Sequence, residues 1–267
     1  MSHLAELELP PRPLADPARF CNFVTASPTP FQAVSNLTAR LSASGFKSIS
    51  ERSADASALQ AGGKYFYTRN QSSLVAFTLP ERPSSTSPAI SFAVGHLDSP
   101  CLKVRPVSKK AKDGYLQVGV ELYGGGIWHS WFDRDLSLAG RVIVSNGQGS
   151  YSSKLVKIDR PLLRIPTLAI HLDRTMNEAF KFNKETNYRP ILGLVADQLN
   201  AGASGEDKAR SRAGTPVPFS GRATPVGDSK EKDEDVAKME ARHHPLLLAV
   251  LADELGCEIG NIQDFEL

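Results

Sequence analysis

A histidine and an aspartate two positions apart are the residues of this chain that are most typical of metal chemistry. His96 and Asp98 follow the apolar, β-rich run 89–95, and a Ser-Pro turn comes directly after them. Side chains two positions apart on a strand point to the same face, so we expect the two to project together. An imidazole whose second ring nitrogen is held by a carboxylate is a typical zinc ligand. Taken alone, however, such a pair is more commonly a histidine hydrogen-bonded to a neighbouring turn.

One imidazole does not make a zinc site, because catalytic zinc takes about three protein ligands and a water. The elements that would position further ligands are therefore of interest. Before the His96 run, Asp16 begins one predicted helix, and Pro30 begins a second that ends near Gly45. Residues 64–68 and 73–79 are predicted to form two strands joined by a polar turn.

The pattern of residue types changes after residue 101, where short strand-like runs are separated by Gly, Pro, Asn and Lys clusters. This spacing predicts a small β-rich module with strands at 102–107, 115–122, 141–144, 151–158 and 168–172. Residues 190–199 fit either a short helix or a strand. Residues 200–235 contain almost no large apolar side chain, so we predict a disordered loop there.

Regular structure is predicted again from Pro245, which fits the first turn of a helix that ends at Gly256. Apolar residues lie on most sides of this helix, so it needs a partner surface. His243 and His244 are adjacent and point in different directions, so they are interpreted as helix-start residues. The last residues, 262–267, have the pattern of a buried strand.

The composition excludes several classes of protein. The 267 residues include 31 basic and 29 acidic side chains, and the formal net charge of +2 favours neither nucleic acid nor a membrane surface. The three cysteines form neither a disulfide framework nor a CxxC pair, which favours a reducing compartment. The first residues are not typical of a signal peptide, and no run approaches the roughly 20 apolar residues of a membrane span. We therefore expect a soluble intracellular chain.

Several segments in the same order carry a more specific signal than the His-x-Asp pair. The chain closely resembles the aspartyl aminopeptidase family of zinc exopeptidases at residues 23–31, 89–101, 119–142, 159–166 and 168–172. The similarity extends from about residue 16 to the last residue, except for the 200–235 loop.

The resemblance implies an α/β fold in which a mixed-sheet zinc-peptidase catalytic domain is interrupted by a β-rich dimerisation domain. Residues 1–100 would then be the first part of the catalytic domain. Residues 101–235 would be the inserted dimerisation domain, and residues 236–267 would return to the catalytic domain. The resemblance also implies a large homo-oligomer, a dodecamer in the family, in the cytoplasm or alternatively in the vacuole.

The implied activity is release of N-terminal Asp or Glu from peptides, using two zinc ions and a glutamate general base. By similarity His96 is the ligand of one zinc, Asp98 is the carboxylate that orients it, and His171 binds substrate across the dimer interface. From the residues alone, His171 is instead interpreted as a core histidine within a strand. Asp133 to Asp135 fit internal pairing at a buried turn, or a catalytic role. Trp128 and its aromatic neighbours are interpreted as packing residues.

In the family, the remaining metal ligands and the general base follow the element that corresponds here to residues 264–267. We therefore expect the catalytic domain of this chain to be incomplete and inactive alone, and the 245–255 helix to lack part of its packing surface. The alternative is a non-catalytic oligomerisation or interaction subunit built on the dimerisation domain.

Overall fold

The computed structural model describes residues 15–52, 59–82, 90–194 and 229–267, with side chains from residue 234 in the last range. The chain divides into two compact units, one up to Ser99 and the other from Pro100 onwards. Within the described ranges, no helix is both long enough and apolar enough to span a bilayer.

The first unit contains two helices and a small sheet. Helices α1 (Ala15–Ala26) and α2 (Pro30–Ala43) precede strands β1 (Lys47–Ser48), β2 (Lys64–Arg69) and β3 (Ser73–Thr78). Strand β2 lies in the centre of the sheet, parallel to β1 and antiparallel to β3. Proline restrains φ and lacks an N–H, so Pro30 suits the first helical position. Both helices and the hairpin confirm the sequence prediction.

The apolar run before His96 does not form a strand. Residues 90–99 have no regular secondary structure, and Ile90, Phe92 and Val94 have exposed fractions of 68%, 82% and 94%. The predicted strand is therefore wrong for the described residues 90–95. The reason is that an extended segment becomes a strand only by pairing, and none of the described strands lies beside it.

The second unit is rich in β-structure. Its elements are β4 (Cys101–Lys112), β5 (Tyr115–Tyr123), β6 (Asp135–Leu136), β7 (Ala139–Ser145), β8 (Tyr151–Lys157), β9 (Leu163–Arg164), β10 (Ile191–Leu194), α3 (Ser229–Arg242), α4 (Pro245–Leu255) and β11 (Ile262–Glu266). They form one sheet in the order β4-β5-β10-β9-β6 and a second in the order β11-β7-β8. The backbone N–H of Val104 donates to the carbonyl of Leu267, at 2.8 Å, and so joins the two sheets.

Helix α4 contributes much of the core of this unit. Leu247, Leu248 and Leu251 are fully buried, and they belong to one cluster with Val142 of β7 and Ile262 of β11. Gly256 ends the helix in the left-handed conformation, at φ +63°, as its position in the sequence predicted. The expectation that this helix would lack part of its packing surface is wrong for the buried residues Leu247, Leu248, Val250 and Leu251, whereas Leu246 remains 38% exposed.

Four of the five strands predicted between residues 102 and 172 are confirmed as β4, β5, β7 and β8. The exception is 168–172, which is a loop whose apolar side chains Leu168, Ile170 and Leu172 are exposed. Residues 191–194 form strand β10, so the choice between helix and strand is decided in favour of a strand for these four residues. Strand β11 confirms the prediction for the last residues.

The prediction of a disordered loop over 200–235 is wrong for its last seven residues, which belong to helix α3. The rest of that segment lies outside the described residues. The unit boundary after Ser99 is close to the domain boundary expected after residue 100. Residues 236–267 pack in the same unit as β7 and β8, and their assignment to a catalytic domain stays a prediction.

Candidate functional site

The ring of His96 is held by Asp98, but mainly through the main chain. The Nδ1 atom of His96 lies 2.8 Å from the carbonyl oxygen of Asp98 and 3.4 Å from its carboxylate Oδ1. Because a carbonyl oxygen only accepts hydrogen bonds, Nδ1 must carry the proton, and the lone pair of the neutral ring is then on Nε2. This is the tautomer of a histidine that binds a metal through Nε2. The His96 side chain is 83% exposed.

The described residues offer one oriented ligand rather than a metal centre. No group of three or more His, Cys, Asp or Glu side chains in the described ranges is arranged to hold a metal ion. Catalytic zinc takes about three protein ligands. His96 therefore fits the role of one ligand by its tautomer and exposure, and the described residues alone do not assemble the ligand set.

His171, the predicted substrate-binding residue, lies in the second unit, whereas His96 and Asp98 lie in the first. It is exposed, so the interpretation of it as a core histidine is wrong. A turn holds the loop around it, in which the N–H groups of Leu172 and Asp173 donate to the carbonyl of Ala169 at 2.8 and 3.2 Å. The structure thus presents the His171 imidazole to the surface of its unit. Its role in substrate binding stays a prediction.

Asp133 binds the segment that leads to His171. Its backbone lies in the left-handed region, at φ +55°, and its N–H donates to the carbonyl of Ile165 at 2.9 Å. Its carboxylate accepts the hydroxyl of Thr167 at 2.5 Å and the Thr167 N–H at 3.1 Å. These two hydrogen bonds hold the pKa of the Asp133 carboxyl below its usual range. Thr167 was missed by the sequence reasoning, because no local pattern links it to Asp133, 34 positions earlier in the chain.

The turn at Asp133 is not buried, so the expected pairing within a buried turn is wrong. Asp135 forms an exposed ion pair with Arg164, in which Oδ1 and Nη1 are 3.3 Å apart. The aromatic residues before the turn are packing residues, as predicted. Tyr188 is buried and donates a 2.8 Å hydrogen bond to the carbonyl of Trp128, and its ring contacts that of Phe132. This aromatic cluster packs against Phe132, the residue directly before Asp133 in the turn.

His243 and His244 have structural positions at the start of helix α4. His244 is the residue that precedes the helix, and its Nε2 lies 2.7 Å from the carbonyl of Lys110. His243 is buried, with Nδ1 2.8 Å from Oγ of Ser108. Burial lowers the pKa of His243 to about 4, and the neighbouring Arg242 acts in the same direction. Both histidines attach the start of the helix to strand β4, and their interpretation as helix-start residues is confirmed.

Comparison with known proteins decides the family. The sequence profile of the family described as Aminopeptidase I zinc metalloprotease (M18) matches residues 23–267. The chain belongs to the M18 family. Its similarity to the aspartyl aminopeptidase of Aspergillus oryzae is 48% identity over 250 residues, which is 93% of this chain and 47% of that protein. Aspartyl aminopeptidase 1 of Schizosaccharomyces pombe is 42% identical over 93% of this chain and 47% of its own length.

Solved structures agree with this assignment. The structure described as the Ape4 and Nbr1 complex has a TM-score of 0.71 and 42% identity, over 93% of this chain and 42% of that chain. Chaetomium thermophilum mApe1 has a TM-score of 0.73 and 31% identity, over 96% of this chain and 50% of that one. The mixed helix and sheet fold of the M18 family is therefore the fold of this chain. The chain spans about half the length of the curated relatives it matches.

Proposed function

We propose that this M18 chain is part of a zinc-dependent aminopeptidase that releases N-terminal Asp or Glu from peptides. The observation that carries the proposal is the 48% identity, over 93% of the chain, to a relative named aspartyl aminopeptidase. The tautomer of His96, which leaves the Nε2 lone pair for a metal, supports it. Because the chain spans about half of that relative, the activity belongs to a protein that contains the chain.

In the proposed site, His96 supplies one imidazole ligand, and Asp98 orients its ring through the main-chain carbonyl. Bound zinc supplies a Lewis acid that polarises a carbonyl and makes water more acidic. The proposal includes two zinc ions, with the further ligands and the general base supplied by polypeptide outside this sequence. His171 is proposed to bind substrate from the second unit, in a homo-oligomer in which one copy contributes to the site of another.

A peptidase assay tests this proposal. The M18 protein that contains this chain, supplied with Zn²⁺ or Mn²⁺, should release N-terminal Asp from a peptide faster than it releases N-terminal Leu or Lys. His96→Gln should abolish the release. Asp113→Asn is a suitable control, because it removes an exposed carboxylate that pairs with the adjacent Lys112. Absence of Asp release by the metal-loaded protein would refute the proposed activity.

The isolated 267-residue chain provides a second arm of the assay. We expect no turnover from it with either metal ion, because the described residues contain no group of three suitable side chains. Turnover by the isolated chain that is lost in His96→Ala would contradict the proposal that outside polypeptide completes the site.

The second candidate function is a non-catalytic oligomerisation or interaction subunit. It is favoured by the second unit, which has its own buried core around Val118, Val142 and Leu251. The isolated chain would then form a stable homo-oligomer, or copurify with longer M18 subunits, without changing their turnover. Light scattering after size-exclusion chromatography would measure this. A monomeric chain that binds no M18 subunit would rule this function out. The compartment, cytoplasm or vacuole, stays a prediction.

A further inference from the structure

The loop that carries His171 has few internal restraints. Residues 168–172 lie in no strand, and the exposed fractions of Leu168, Ile170 and Leu172 are 56%, 45% and 75%. The turn bonds to the Ala169 carbonyl shape the loop but do not attach it to a sheet. The orientation of the loop on its unit therefore depends on the residues that hold its two ends.

One end of the loop is held by Asp133. The three hydrogen bonds from this residue reach Ile165 once and Thr167 twice, so both the backbone and the carboxylate of Asp133 bind the segment just before the loop. The other end is held by Asp173, whose Oδ1 accepts the N–H and the hydroxyl of Thr175 at 3.2 and 2.9 Å. The Asp173 bonds join residues only two positions apart. Of Asp133 and Asp173, it is therefore Asp133 that links the loop to a distant part of the chain.

Asp133 makes these bonds in a backbone conformation that is uncommon for residues other than glycine. Such a conformation persists where the surroundings determine it strongly, and it is concentrated at functional sites. Here the residues on both sides of Asp133 are held by contacts with other elements. Phe132 packs against Phe182 and Tyr188, with ring centroids 4.9 and 5.2 Å apart, and Asp135 and Leu136 pair with strand β9.

We propose that Asp133 is a positioning residue for His171, acting through its hydrogen bonds to Thr167. This inference rests on the proposed role of His171 in substrate binding. Asp133 touches no substrate in this scheme. It sets the direction in which the loop leaves strand β9, and thereby the place of the imidazole four residues beyond Thr167.

Amide hydrogen exchange on the full chain tests the hydrogen-bonded link itself. Asp133→Gly keeps the backbone conformation accessible and removes the carboxylate. It should speed exchange of the Thr167 amide by about tenfold, since its hydrogen bond to a charged group is lost, with a smaller increase at the Leu172 amide in the loop. Thr167→Val should do the same to a smaller extent, and Asp133→Asn, which tolerates the same φ and can still accept a hydrogen bond, should restore most of the protection. Unchanged exchange in Asp133→Gly would overturn the proposal.

Kinetics in the M18 protein that contains this chain test the purpose of the link. His171→Gln and Asp133→Gly should each raise KM for an N-terminal Asp peptide about tenfold or more, with a smaller change in kcat. If Asp133 acts through His171, the double variant should be no worse than His171→Gln alone. Asp113→Gly is the matched control, because Asp113 is an exposed aspartate with the same left-handed backbone, at φ +53°, and it should leave KM unchanged. Additive effects in the double variant would overturn the proposal.

The same data separate the two proposals. If His171→Gln leaves KM unchanged while Asp is still released, the substrate role of His171 is refuted, and positioning for binding is refuted with it. If neither the parent protein nor any of its variants releases N-terminal Asp, the proposed activity is refuted. The exchange measurement needs no substrate and decides in either case whether Asp133 holds the loop.

Discussion

The imidazole of His243 and the hydroxyl of Ser108 lie 2.8 Å apart, from Nδ1 to Oγ, although 135 positions separate them in the chain. Both side chains are buried. Ser108 lies where strand β4 shifts its register against β5, between Val104 and Lys109. The start of helix α4 is thus attached to an irregular point of the sheet, where a regular ladder of backbone hydrogen bonds is interrupted.

This burial predicts a pH-dependent stability. The pKa of His243 is about 4 in the folded chain, against 6.5 for the exposed side chain, so the unfolded chain takes up the proton first as the pH falls. The stabilisation of the folded chain that comes from burying the neutral imidazole is fully present above pH 6.5, and it is lost progressively as the pH falls to about 4. The lost free energy of unfolding is on the order of 3 kcal/mol.

Urea unfolding of the parent chain and of His243→Gln at several pH values between 7 and 4 would measure this contribution. The free energy of unfolding of the variant should be lower at pH 7 and should depend less on pH. His171→Gln is the control, because its imidazole is exposed. An equal pH dependence in the parent and in His243→Gln would refute the assignment.

Gly140 is predicted to be intolerant of any side chain. A Cβ atom added there would lie 2.0 Å from the carbonyl oxygen of Glu266 in the neighbouring strand β11. Because the obstructing atom belongs to the backbone, the strand itself must move, and Glu266 then loses its ion pairs with Lys103 and Arg141. Gly140→Ala should lower the free energy of unfolding by about 3 kcal/mol or more.

A matched control for Gly140→Ala is Gly125→Ala, since a Cβ there meets no atom within 4 Å. Its midpoint of urea unfolding should change little. Wild-type stability in Gly140→Ala would show that β11 does not approach β7 as closely as described.

Tyr188→Phe should destabilise the second unit. The hydroxyl of Tyr188 donates to the carbonyl of Trp128, and the residue is buried. Its removal leaves that carbonyl without this donor, which costs about 1 to 2 kcal/mol. Tyr151→Phe, at a residue that is 65% exposed, should have little effect on the unfolding midpoint. Equal effects of the two substitutions would argue against the described packing of Tyr188.

Asp98→Asn should weaken zinc binding much less than His96→Gln in the M18 protein that contains this chain. The main-chain carbonyl of residue 98, which is the nearer partner of Nδ1, remains in the Asn variant. We expect affinity to fall by about tenfold or less in Asp98→Asn, the lower end of the range for a partner that orients a ligand. Competition with a chromophoric chelator measures both variants. A loss in Asp98→Asn as large as that in His96→Gln would mean that the carboxylate is itself essential.

Local signals in the sequence determined several elements of this protein. Pro30 and Gly45 delimit helix α2, and Pro245 and Gly256 delimit helix α4, because proline and glycine act on the backbone at their own positions. The contact of His96 with Asp98 is also local, but it is made mainly with the main-chain carbonyl of Asp98 and not, as strand alternation predicted, with its carboxylate. The family was recognisable from ordered motifs, and the sequence profile confirms it over residues 23–267.

Tertiary structure decided the features that depend on partners far along the chain. Residues 90–95 and 168–172 have the composition of strands, yet neither is a strand, because strand formation needs a neighbour that the local sequence does not specify. The hydrogen bonds of Asp133 with Thr167 and of His243 with Ser108 span 34 and 135 positions. No periodicity links residues at such separations. Asp133 and Thr167 meet only when strands β6 and β9 pair, and His243 and Ser108 meet only when helix α4 packs on the sheets.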